Sequence, residues 1–254
     1  MPTIGPNNIQ RYTCKCPQYY HGYRCEIPIK SCKDVTAARA STFPPSPGKY
    51  AILDYNSNPF NVFCDFDNHN STIAVWAWTL VQSYALREKF LWKPFQRESP
   101  KDSERPNWSL YRISKQRMQS IRNESTKWRV TCCYDTTYSV DYRDYVRGTF
   151  SNIDILDYYG DGCVKVDYIS VRDQSCSNCT AYALQKSAIF NFPRNKGNCD
   201  LRTTNFKACP SLEQWLSKFE TNFGYYGCAN VEHLSRIPQH KPGLEHNPNF
   251  KSKF

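Results

Sequence analysis

"GKYAILDYNSNPFNVFCDFDNHNSTIAVWAWTLVQS", Gly48–Ser83, is the stretch on which the fold turns. It contains three runs rich in β-branched and aromatic residues, KYAILDY, FNVFCDF and IAVWAWTLV, with polar segments between them. Each run reads as a strand. The third, Ile73–Val81, has the length and flanks of a buried strand. Trp76 and Trp78 lie two residues apart and so share one face of a sheet. Core packing is the expected role of at least one of them; a carbohydrate-stacking platform is the sharper reading.

Upstream, FPPSPGKY is a turn by its Pro and Gly content. Before it, DVTAARAS favours helix at its centre, with Asp34 near the helix start, where a negative charge is favourable. Downstream, residues 104–135 read as a helix followed by a return to strand at KWRVTCCY. Ile113, Met118 and Ile121 fit one helix face, with Arg112, Lys115, Arg117 and Arg122 beside it. From Thr131 short strands alternate with turns, including one expected at Gly160–Gly162 in YGDGCVKVDYISV. SLEQWLSKF predicts a further helix, capped by Ser211 and striped with Leu212, Trp215, Leu216 and Phe219. The last residues, 236–254, are polar, basic and Pro-rich and read as a flexible tail.

Thirteen of the 254 residues are cysteine. That is a high load for a reducing compartment and points to an oxidising one. Four N-x-S/T triplets, at Asn70, Asn107, Asn123 and Asn178, are candidate glycan acceptors for a chain on the secretory route. The opening residues MPTIGPNNIQ carry no basic start followed by an apolar run, so no signal peptide is visible. No apolar run is long enough for a transmembrane helix. These features together suggest a piece of a longer, processed secreted chain.

CKCPQYYHGYRCE, Cys14–Glu26, has the spacing C-x-C-x5-G-x2-C. Gly22 can take positive φ before the last cysteine, and Tyr19, Tyr20 and Tyr23 offer apolar surface to a segment too small for a core. The pattern resembles the C-terminal half of an EGF-like module. The resemblance implies a disulfide Cys16–Cys25 and a partner for Cys14 in the module's first half, upstream of this sequence. An intermolecular disulfide or a free thiol at Cys14 is the competing account.

Over residues 28–84 the chain resembles the opening of a fibrinogen C-terminal-like domain. The matching positions are Cys32, Asp34, Gly48, Tyr50, Ile52, Val62, Cys64, Asp65, Trp78 and Thr79. The resemblance implies a disulfide Cys32–Cys64. Beyond residue 84 the family's glycine-rich G-x-x-W-L-G region is missing, which leaves the family's binding pocket without a counterpart. The expected class is therefore α+β. Residues 1–27 form a disulfide-stapled EGF-like remnant. Residues 28–235 form a divergent fibrinogen-like domain with a mixed or antiparallel sheet and short helices.

Other chemistries find less. CSNC, Cys176–Cys179, has C-x2-C spacing, but a zinc site of this type needs a second pair and none is present. Asp154, Asp157 and Asp161 in DILDYYGDG are weak calcium candidates, hard oxygen donors near a glycine turn; solvated turn acids are the plainer reading. Asp65–Asn70 is a weaker version of the same. There is no G-x-S-x-G and no H-E-x-x-H, and His233, His240 and His246 read as solvated tail residues. No catalytic set emerges, so a non-enzymatic role is expected.

Lys and Arg total 33 against 23 Asp and Glu, a net charge of +10. Outside the cell this suits sulfated glycans or acidic matrix proteins rather than nucleic acid. The combination of modules resembles secreted cnidarian proteins, including those of the stony-coral skeletal organic matrix. That implies a disulfide-bonded glycoprotein of the extracellular matrix, with adhesion and biomineralization as associated roles. A soluble fibrinogen-related lectin or immune recognition protein is the alternative.

Overall fold

In a computed structural model, the residues described are 3–4, 10–11, 15–38, 45–67, 76–85, 88, 91, 93–132, 144–171, 174–186, 190–192, 198–201 and 249–253. They fall into two compact units, Met1–Thr79 and Leu80–Phe254.

The first unit begins with two-residue strands. β1 (Thr3–Ile4) pairs with β2 (Gln10–Arg11), and β3 (Tyr20–His21) pairs with β4 (Ile27–Pro28). The turn between β3 and β4 carries Gly22 at φ +96°, where a Cβ would lie 3.0 Å from the Glu26 carboxylate. The positive φ is what favours glycine here, since the exposed Glu26 side chain can move aside. Tyr23 is 89 % exposed. It lends this segment no packing, unlike the half-buried Tyr19 and Tyr20.

Helix α1 (Cys32–Ala38) follows, and its start is built by side chains. Asp34 accepts from the amides of Lys30 and Ser31, both at 2.9 Å, and from the Ser31 hydroxyl at 3.0 Å. These bonds satisfy donors that the first helical turn leaves open, and the carboxylate also favours the helix N-terminus.

Strands β5 (Gly48–Leu53) and β6 (Pro59–Asp67) form an antiparallel pair, and β6 continues onto the first residues of β7 (Trp76–Ala85). Ile52, Val62 and Cys64 are fully buried here, with Phe60, Phe63, Phe66 and Trp78 nearly so. Trp76 is half-buried and its ring centroid stands 5.8 Å from that of Trp78. Trp78 buries its ring and donates its indole N–H to Asp67 at 3.0 Å, so it is a core residue with a satisfied polar end.

The second unit contains the remainder of β7, then β8 (Leu110–Arg112), helix α2 (Lys115–Asn123), β9 (Lys127–Cys132), β10 (Asp144–Thr149), β11 (Gly160–Val171), β12 (Gln174–Gln185) and β13 (Asn249–Lys253). Its strand order is β12-β11-β10-β9-β13-β7, with β8 also on β7. Every pairing described in either unit is antiparallel. Ser114 caps α2 by accepting from the Arg117 amide, and Met118, Ile121 and the preceding Ile113 are fully buried.

Trp128 is buried beneath β10, donates to the Ile153 carbonyl at 3.1 Å and meets Phe190 edge-on. Gly148 sits opposite it in the ladder, and a Cβ there would lie 2.4 Å from the indole ring. Across the same unit, Arg112 is a buried clamp. It donates to the Gln82 side chain at 2.8 Å and to the carbonyls of Lys93 (2.7 Å), Pro94 (3.0 Å) and Arg97 (2.8 Å).

Three expectations change. The α+β class is corrected to a mostly-β architecture, because strands make up 48 % of the described residues and helix 12 %. The two helices run only 7 and 9 residues, while the β-branched and aromatic runs pair into long ladders. The turn expected at Gly160–Gly162 lies just before it, at residues 154–157, and both glycines belong to β11. In the segment expected to be a flexible basic tail, residues 249–253 form β13 between β9 and β7. The helix expected at Ser211 lies outside the described residues.

Candidate functional site

The densest collection of sequence-marked residues is on the β11–β12 hairpin. These two twelve-residue strands pair from Gly160↔Gln185 to Val171↔Gln174. Cys163, Cys176, Asn178, Cys179 and Thr180 all lie on it.

Residues three apart on a regular strand point to opposite faces and stand about 10 Å apart. Cys176 and Cys179 instead have Cα atoms 6.1 Å apart and are joined by a disulfide. The device is Asn178, at φ +50°. Asn tolerates this left-handed conformation better than most residues. The ladder keeps its register on both sides, at Val166↔Cys179 and Tyr168↔Ser177, and skips Asn178. The Asn178 side chain is exposed, Cys176 is half-buried and Cys179 is buried. With both sulfurs bonded to each other, the C-x2-C pair offers no thiolates to zinc.

A second disulfide, Cys163–Cys199, brings residues 198–201 back to β12. The Asp200 carboxylate accepts from the Thr180 amide at 2.8 Å and from its hydroxyl at 2.9 Å. The Asp200 amide returns a bond to the Thr180 hydroxyl at 3.0 Å, and the Leu201 amide donates to the Thr180 carbonyl. The backbone and side-chain bonds from Thr180 hold the Asp200 carboxyl below the ordinary carboxylate range. Sequence reading missed this latch. GNCD marks it only once Cys199 is known to reach Cys163.

The three calcium candidates are not brought together as a ligand set. Asp154 accepts from Arg122 at 2.7 Å and from the Leu156 amide at 3.1 Å. Asp157 stands 3.9 Å from Lys115. Asp161 pairs with Lys186 at 2.8 Å and with the Tyr182 hydroxyl. Each carboxylate thus has its own cation. Among the described residues no group of three or more His, Cys, Asp or Glu could hold a metal ion. Asp65 is a buried strand residue.

The glycan candidates differ sharply. Asn123 is exposed at the end of α2, its side-chain oxygen accepting from Gln119. Asn107 is consumed internally. Its amide nitrogen donates to Asp102 at 2.9 Å and to the carbonyls of Arg105 (3.0 Å) and Leu110 (3.2 Å). Its oxygen accepts from the amides of Ser109 and Leu110. Asn70 and Cys14 lie outside the described residues.

The other two disulfides among the described residues are Cys16–Cys25 and Cys32–Cys64, the pairings that the two family resemblances imply. Comparison of the chain with protein-family models, curated proteins and solved structures returns no match. No helix among the described residues is long and apolar enough to cross a membrane.

Proposed function

We propose that the chain is a secreted, disulfide-cross-linked glycoprotein with a non-enzymatic role in an extracellular matrix or adhesive layer. The observation that carries this reading is the set of four disulfides among the described residues, distributed from Cys16 to Cys199 across both units. Such a set persists in an oxidising environment and not against a cytosolic thiol pool. The carboxylates of the second unit support the same reading. Asp154, Asp157, Asp161 and Asp167 each face a cation of their own chain, which suits a cross-linked scaffold. The net charge of +10 favours sulfated glycans or acidic matrix proteins as the counter-surface. On this reading residues 1–27 are the end of an EGF-like module and residues 28–235 a divergent fibrinogen-like domain.

The test is a non-reducing peptide map of the protein from its native source, combined with extraction of insoluble material by salt and by chelator. The four described disulfides, release by high salt and indifference to chelator are expected. Thiols free throughout would overturn the reading. Release by chelator alone would transfer it to a calcium-dependent lectin.

A further inference from the structure

We propose that Asn178 is an oxidation-gated glycan acceptor: an oligosaccharide is transferred to it only while Cys176 and Cys179 are thiols, and closure of their disulfide ends its competence. This rests on the secreted-glycoprotein reading and adds a mechanism to one of its sites.

The triplet is Asn178-Cys179-Thr180, so its middle residue is one partner of a disulfide. Acceptor triplets are read through the Asn amide and the hydroxyl two residues on. Closure draws Cα atoms that would stand about 10 Å apart in a strand to 6.1 Å and leaves Asn178 at φ +50°. A backbone so bent cannot be drawn out into an extended acceptor. The hydroxyl is also taken: Thr180 exchanges two hydrogen bonds with Asp200, whose neighbour Cys199 is bonded to Cys163.

What separates Asn178 from Asn123 is the timing of closure. Asn123 stays exposed at the end of α2, and its triplet, Asn123-Glu124-Ser125, holds no cysteine that a disulfide could close. The Cys176–Cys179 loop has a sequence separation of 3, and short loops close at little entropic cost and without distant chain. The oxidant and the glycosyl donor therefore compete over one five-residue segment, 176–180, as it emerges.

Both steps balance. In transfer, the Asn178 Nδ2 bonds to the anomeric carbon of a lipid-linked oligosaccharyl diphosphate, the carbon–oxygen bond to the diphosphate breaks, and Nδ2 loses one proton. In closure, the two thiols give two electrons and two protons to a disulfide-bearing protein oxidant, which becomes a dithiol.

The experiment is site occupancy by peptide mass spectrometry on the full chain, led by a signal peptide and secreted from a glycosylating cell. Wild type is compared with Cys176→Ser, which keeps the triplet intact. A second arm makes wild type in the presence of a membrane-permeant reductant, so the result does not depend on the variant folding. Partial occupancy of Asn178 in wild type, rising in both arms while Asn123 stays constant, is expected. Full occupancy in wild type, equal occupancy in all arms, or a bare Asn178 throughout would each overturn the proposal. If Asn178 is bare but Asn123 is occupied, only the gating fails. If both are bare in every arm, the glycoprotein reading falls as well.

Discussion

The side-chain amide of Asn107 donates to the Asp102 carboxylate at 2.9 Å and is spent in doing so. Two further acceptors share its two hydrogens, and two backbone amides fill its oxygen. A glycan on this nitrogen would remove one hydrogen and wedge a sugar into a half-buried turn. Asn107 is expected to be unmodified in the folded protein, as peptide mass spectrometry would show. Asn107→Asp should destabilise by roughly 2 kcal/mol, because it sets a second carboxylate against Asp102 and against carbonyl oxygens. An unchanged Tm in that variant would show the turn to be held otherwise.

Arg112 is expected to be intolerant even of lysine. Burial pushes its guanidinium down to about 10, with Glu98 opposing, so it remains charged at neutral pH. A lysine carries the charge but cannot fork to the carbonyls of Lys93, Pro94 and Arg97 while also reaching Gln82. Arg112→Lys should cost about 3 kcal/mol in urea unfolding, since buried carbonyls lose their donors.

Gly148→Ala tests the packing of β10 on Trp128. With the ring fully buried and 2.4 Å from an added Cβ, the backbone or the indole must shift. A loss of about 1–3 kcal/mol is expected, as for other overpacked cores. Gly162→Ala, where a Cβ meets nothing within 4 Å, is the matched control and should be close to neutral.

Acid sensitivity should trace to Asp167. Burial pushes its carboxyl up, but hydrogen bonds from Lys127 and Thr149 and the charges of Lys127 and Arg147 outweigh that and hold it below its ordinary value. A carboxyl depressed in the folded state contributes stability above its unfolded value, near 4, and that stability is lost as pH falls through the lower folded value. Tm measured between neutrality and strong acid should therefore drop below about pH 4. Asp167→Asn should flatten that drop and lower Tm at pH 7.

The disulfides should rank by the loop they close. Cys32–Cys64 has a sequence separation of 32 and Cys176–Cys179 one of 3. On chain-entropy grounds the first contributes about 4 kcal/mol and the second about 2. Replacing each pair by serines and comparing urea midpoints checks the order; equal losses would refute it.

How far the sequence discloses this molecule depends on how local each feature is. The strands at KYAILDY, FNVFCDF and IAVWAWTLV become β5, β6 and β7, because their residues suit a pleated, buried surface whatever surrounds them. The buried stripe Ile113, Met118 and Ile121 is legible for the same reason. The α+β expectation fails because the described helices run only 7 and 9 residues, while strands that follow one another in the chain pair into long antiparallel ladders, and single-sequence patterns do not reveal pairing. The same holds for the Asp200 latch on Thr180 and for the Arg112 clamp, whose acceptors are backbone carbonyls with no sequence signature. Asp154, Asp157 and Asp161 look like one site in the sequence. Their cations, Arg122, Lys115 and Lys186, come from three other places.

Strand β13 occupies an interior slot, with β9 on one side and β7 on the other. The ribosome delivers β7 and β9 long before residues 249–253. Two facing rows of backbone donors and acceptors must therefore wait, open, for β13. During that interval a nascent chain offers any extended peptide the place reserved for residues 249–253. Its biogenesis then calls for a chaperone that shields strand edges as much as for an oxidant that joins cysteines.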